Sequence, residues 1–141
     1  MSGTRFEELE VWKRARELTA RVYALTRRGA LARDSALRRQ MCRSAVSVMS
    51  NIAEGYERGG NRELINFLSM AKGSAGELRS QTYVAQDADL LDADQLEQLR
   101  GDCLALSRML AGFIKYLQRR DYKGHKFRPN PNAGHTPPFE S

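Results

Sequence analysis

Residues 51–78 read NIAEGYERGGNRELINFLSMAKGSAGEL. A helical pattern runs out through Asn51, Ile52, Ala53, Glu54 and Gly55, a basic glycine-rich turn follows, and a new helix opens at Asn61. Asn61 is expected as the N-cap, with Glu63 placing negative charge at the positive end of the helix dipole. Leu64, Phe67, Leu68, Ala71, Ala75 and Leu78 recur at helical spacing and are expected to face inward. Gly73, Ser74 and Gly76 fall in mid-helix, although glycine there costs about 1 kcal/mol relative to alanine. That cost points to a neighbouring helix approaching closely at Gly73. The helix is expected to continue to about Ala88.

Upstream, two further helices are expected. The first runs from about Phe6 to Arg28, where Val11, Ala15, Leu18, Val22 and Leu25 make one apolar stripe and Gly29 takes the left-handed position after the end. The next runs from about Asp34, as N-cap, to about Glu57. It carries two stripes side by side: Leu37, Met41, Ala45, Val48 and Ile52, then Cys42, Val46, Met49, Ala53 and Tyr56. Burial over so wide an arc suits the centre of a bundle or part of an oligomer interface. Downstream, an acidic link over 87–94 offers Asp92 or Asp94 as a cap. A last helix then carries Leu96, Leu99, Cys103, Leu106, Leu110, Phe113 and Leu117 on one face and ends near Arg120.

Short links between long amphipathic helices predict an all-α fold, an antiparallel up-down-up-down four-helix bundle over 1–122. All four prolines lie at 129, 131, 137 and 138, so 123–141 is expected to be a flexible Pro/Gly-rich tail. The 141 residues suit one domain, 41% hydrophobic and 28% charged. With no apolar run of about 20 residues and no apolar core in the N-terminal segment, a cytoplasmic protein is expected. Cys42 and Cys103 lie far apart among apolar residues and read as buried free thiols.

The segment at 51–78 resembles the signature of a family of four-helix-bundle proteins first described as reading frames in intervening sequences of bacterial 23S rRNA genes. Asn51, Ile52, Ala53, Glu54, Gly55 and Arg58 match its NIAEG-x-x-R run, and Phe67, Ala71, Gly73, Ser74, Glu77 and Leu78 match the helix after it. Leu9, Val11 and Trp12 match the family's opening, as Gln40, Met41 and Arg43 match the start of its second helix. The likeness spans about residues 5–120. It implies a ring-shaped homo-oligomer, a pentamer, and relatives of the family serve as accessory subunits beside the reverse transcriptases of diversity-generating retroelements.

Within the signature, Asn51, Glu54, Arg58, Ser74 and Glu77 form a polar set on facing helices. Three readings stay open: a hydrogen-bonded seam that fixes helix register, a groove that takes RNA or a protein tail, or a catalytic site. The chemistry available argues against the last. The only histidines, His125 and His135, lie in the tail, so a di-iron Glu-x-x-His site and a Ser/His/Asp triad both lack their imidazole. No phosphate-binding loop and no zinc spacing occurs. No catalytic residue, no metal and no cofactor is therefore expected, and the protein is not expected to be an enzyme.

Charge is strongly segregated. Residues 1–43 hold eleven Lys and Arg against five Asp and Glu, residues 44–104 five against ten, and residues 105–141 seven against two. Arg14, Arg21 and Arg28 recur every seven residues along the first helix. Lys13, Arg27, Arg38, Arg39 and Arg43 widen that basic surface. Such a surface suits the phosphates of structured RNA or DNA. No stacking platform for single strands is expected, because the aromatics mostly fall at apolar-face spacing. The competing class is a protein–protein interaction scaffold that does not touch nucleic acid, and solvated helix faces are the plainest account of the charge.

Overall fold

The computed structural model describes residues 5–126, with side chains described over 5–121. Among the described residues there are helices and no strand. After a single 3-10 turn at Phe6–Glu8 the chain runs through α1 (Glu10–Thr26), the short α2 (Gly29–Arg33), α3 (Ser35–Glu57), α4 (Asn61–Asp87) and α5 (Ala93–Lys126).

The first helix begins later than its apolar pattern suggested. Leu9 is extended, at φ −72° and ψ 130°, and buried, so the chain enters α1 at an angle set by that side chain. Gly29 holds φ +55°, the left-handed conformation expected after α1, and starts α2 rather than a plain link. Leu31, wholly buried, anchors this extra turn to the core. Asp34 caps α3 by accepting from the Leu37 amide at 3.1 Å.

At the head of α4 the capping differs from expectation. Gly59, at φ +85°, makes the turn and the extended Gly60 takes the N-cap position; Asn61 is the first helical residue and its side chain donates to Asp121 at 3.5 Å. Asp92 caps α5, its carboxylate accepting from the Asp94 amide at 3.1 Å. The last helix runs on to Lys126, past the end expected near Arg120 and across the boundary placed at 122/123. The rest of the proline-rich segment lies outside the described residues.

The four long helices enclose one core, α1 against α3 and α5, α4 against α3 and α5. Every residue of the expected inner stripes of α1 and α5 is buried except Phe113, which is half-buried, as is Phe67 on α4. On α3 the first stripe is buried throughout. The second is not: Cys42, Met49, Ala53 and Tyr56 are half-buried and Val46 is 39% exposed. Large side chains such as Met41, Ile52, Ile65, Leu68 and Leu106 are fully buried, each contributing about 1.5–3 kcal/mol by removal from water. Among the described residues no helix is long and apolar enough to cross a membrane.

Candidate functional site

The five polar residues of the signature divide into three places. Asn51 donates from Nδ2 to the Ser47 carbonyl at 2.8 Å and to Ser47 Oγ at 3.1 Å. Ser47 Oγ lies 2.9 Å from Ser74 Oγ on α4, and Ser74 is buried. These three side chains tie α3 to α4 and satisfy one another in a partly buried position, as polar groups removed from water must be. Glu54 and Arg58 pair instead at the outer end of α3, with Nη2 to Oε2 at 2.8 Å. Arg58 also lies 3.7 Å from Glu63 and 5.1 Å from the Phe67 ring centroid. The hydrogen bond to Glu54 raises the Arg58 pKa above its ordinary value. Being exposed, this group steadies the α3–α4 turn only weakly. Glu77 is exposed, with no hydrogen bond or ion pair to any described residue.

Among the described residues no neighbour makes the close approach expected at Gly73. A Cβ there would meet nothing within 4 Å, and the same holds for Gly76. The close approach is at Gly55, where an added Cβ would stand 2.5 Å from Phe67 Cβ and 3.3 Å from Leu64 Cδ1. Gly55 lies on the buried side of α3 and Gly73 on the outward side of α4, beside a shallow groove of about 430 Å³ shared with Lys72, Ala111 and Lys115.

The arginines separate in the same way. Arg14 and Arg21 flank α5, lining a cleft of about 210 Å³ with Glu17 and Asp102. Arg21 donates to Asp102 at 3.0 Å and to Gln98 at 3.4 Å, so its charge is already answered inside the fold. Lys13 lies 3.7 Å from Glu10. Arg27, Arg28, Arg39 and Arg43, by contrast, are exposed and have no ion-pair partner among the described residues. They cluster with Arg33 where α1, α2 and the first turns of α3 meet. Arg38 is half-buried and its Nε is shielded without a hydrogen bond. Across 27–43 six arginines face a single carboxylate, Asp34, which is engaged in capping α3.

Two features escaped sequence reasoning. Arg100, 8% exposed, reaches Thr82 Oγ1 at 3.3 Å and Glu97 at 3.2 Å, and its guanidinium lies 4.3 Å from the Tyr83 ring centroid. It joins α4 to α5; its place on the flank of the inward stripe (Leu96, Leu99, Cys103) was the only available signal. The second is aromatic exposure: Tyr23 on α1 and Tyr83 on α4 lie at the surface, at 39% and 52%, contrary to the expectation that the aromatics serve the core. Cys103 is a buried free thiol as expected, whereas Cys42 is only half-buried. Burial pushes the Cys103 thiol up from 9.0 to about 12, with Asp102 adding to the shift and Arg79 opposing it, so it stays protonated. Among the described residues no group of three or more His, Cys, Asp and Glu is arranged to hold a metal ion.

A crystal structure of a protein of unknown function from the S23 ribosomal protein family of Bacteroides thetaiotaomicron VPI-5482 superposes with a TM-score of 0.68. The likeness covers 74% of this chain and 98% of that one at 22% sequence identity, a level that speaks to the fold alone. No curated protein matches the chain. The family described as 23S rRNA-intervening sequence protein matches residues 7–112, which include the α3–α4 seam, the Gly55–Phe67 contact and the arginine corner. The chain therefore belongs to the 23S rRNA-intervening sequence protein family.

Proposed function

We propose that this protein is a non-enzymatic, homo-oligomeric scaffold that binds structured nucleic acid, RNA foremost, through the corner where α1, α2 and α3 meet. The observation that carries this reading is the set of six arginines over 27–43 opposed by Asp34 alone. A cluster of guanidinium groups without counter-charges attracts phosphates, and little sequence is read in doing so. Arg14 and Arg21 play a lesser part, because Asp102 and Glu17 stand beside them. Catalysis has no support in the histidine-free stretch 5–121.

The scaffold is read as an antiparallel up-down-up-down bundle. Ser47 meets Ser74 while Gly55 meets Phe67, and Thr82 meets Arg100 while Asn61 meets Asp121, so partner numbers fall as chain numbers rise. The half-exposed second stripe of α3 supports assembly into a ring. Light scattering should then report several times 16.0 kDa, near five chains, and a concentration-independent monomer would refute it. Within the family resemblance, the cellular role is cytoplasmic and accessory to a reverse transcriptase. A reverse-transcriptase gene next to this one and co-purification of the two products would test that.

Gel shifts with duplex RNA test the binding itself. Reversing Arg28, Arg39 and Arg43 to Glu should weaken binding at least about tenfold at low salt. The charge-matched reversal of Lys72, Lys115 and Arg119, exposed on α4 and α5, should weaken it far less. Equal losses would reduce the corner to a general charge effect. A second reading, a protein scaffold that does not contact nucleic acid, is favoured by Met70 and Val84, 52% and 54% exposed on α4. It leads if the wild-type protein binds neither RNA nor DNA at low salt.

A further inference from the structure

On α1 the side chains Trp12, Arg16, Ala20, Tyr23 and Arg27 follow spacings of four, four, three and four and so form one stripe, exposed except at Trp12, which is half-buried with one side packed against the core. Two aromatic–guanidinium pairs stand on it. Arg16 lies 5.7 Å from the Trp12 ring centroid and Arg27 lies 5.8 Å from that of Tyr23. Phe6 packs edge-on against Trp12, centroids 5.3 Å apart, and fixes that ring in place. Helical rise separates the two pairs by about 16 Å, with the small Ala20 between them.

We infer that this stripe is a stacking track for single-stranded nucleic acid, adjoining the duplex-binding corner with which it shares Arg27 and resting on the nucleic-acid reading above. A nucleobase stacks on an aromatic face or on a guanidinium plane, and here each ring already holds a guanidinium beside it. The packing of Phe6 holds the Trp12 ring before the ligand arrives, which lowers the entropy cost of binding at that end. The direction of the strand follows from charge. Glu7 and Glu17 line the shallow cleft beside Trp12, and Lys13 is paired with Glu10, so that end attracts phosphate weakly. At the other end Arg27 is followed by Arg28 and the exposed arginines of α3. The strand therefore enters at Tyr23 and its bases extend toward Trp12.

Trp12 is the only tryptophan, so the full-length protein carries its own reporter. Its emission is to be followed at low salt while adding a uridine oligonucleotide, a length-matched duplex RNA, or inorganic polyphosphate, which has charge but no bases. Quenching by the single strand and none by polyphosphate is the expected result. Tyr23→Leu and, separately, Arg27→Gln should weaken single-strand binding at least about fivefold by anisotropy. Duplex affinity should change less than about twofold for Tyr23→Leu. Circular dichroism checks that both variants fold. An unchanged emission, or equal quenching by polyphosphate, overturns the inference. Emission that follows protein concentration instead of RNA also overturns it, because a second copy then covers the stripe. If duplex RNA binds while the single strand leaves Trp12 unaffected, this inference fails alone; if no nucleic acid binds, the function proposed above fails with it.

Discussion

Gly55 and Gly73 belong to one signature, on facing helices, and their surroundings are opposite. At Gly55 the backbone of α3 is pressed against the first turns of α4, with Phe67 Cβ 2.5 Å from where a methyl group would go. At Gly73 the space within 4 Å is empty. The contrast separates two reasons for a helix to tolerate glycine: contact inside the chain, or something outside it. Ser74, next to the open glycine, is nonetheless buried and bonded to Ser47. One step along a helix turns the side chain by about 100°, enough to pass from solvent to seam.

Gly55→Ala should have the largest effect. Phe67 Cβ adjoins its backbone and cannot swing aside, so the α3–α4 pair must spread, at a cost of about 1–3 kcal/mol. Thermal unfolding would register this as a Tm lowered by several degrees. An unchanged Tm would mean that α3 and α4 adjust freely, and the contrast with Gly73 would collapse. Next in size is the Ser47–Ser74 bond. A double-mutant cycle with Ser47→Ala and Ser74→Ala should give a coupling energy of about 1 kcal/mol in denaturant unfolding. Coupling near zero would reduce the seam to simple proximity.

Gly73→Ala should act in the opposite sense, raising stability by about 0.5–1 kcal/mol through better helix propensity. A lower Tm, or loss of assembly in light scattering, would place a second copy against this face and account for the glycine. The smallest effect is expected from Arg58→Gln at the exposed turn, where its pairs with Glu54 and Glu63 are open to solvent. No resolvable change in Tm is expected. A clear loss would make this turn part of an assembly contact.

How far the sequence could be read depended on the kind of interaction. The inner stripes were legible because burial of Val11, Ala15, Leu18 and their counterparts repeats with the helical period. The cap at Asp34 was legible because it is local, and at the last helix Asp92 was one of two local candidates, between which the structure chose. Asn61 was misassigned because two glycines precede it and the second, Gly60, takes the extended conformation. The polar set was visible as residue types but not as groups. Asn51 and Ser74 share the seam through Ser47, Glu54 and Arg58 belong to the turn, and Glu77 stands apart. Arg21 entered the basic stripe by its spacing, yet Asp102 on a helix distant in sequence neutralises it.

By itself, the sequence determined that long helices each bury an apolar stripe, most of the residues in those stripes, and the excess of Lys and Arg over residues 1–43. These follow from period and composition, which act along the chain. Only the tertiary structure decided which glycine lies against another helix, which arginine is paired and which is open, and that Tyr23 stands at the surface and not in the core. Those facts depend on the rotation of each helix about its own axis and on its neighbour. Rotation is set by packing the whole core at once, and no local pattern carries it.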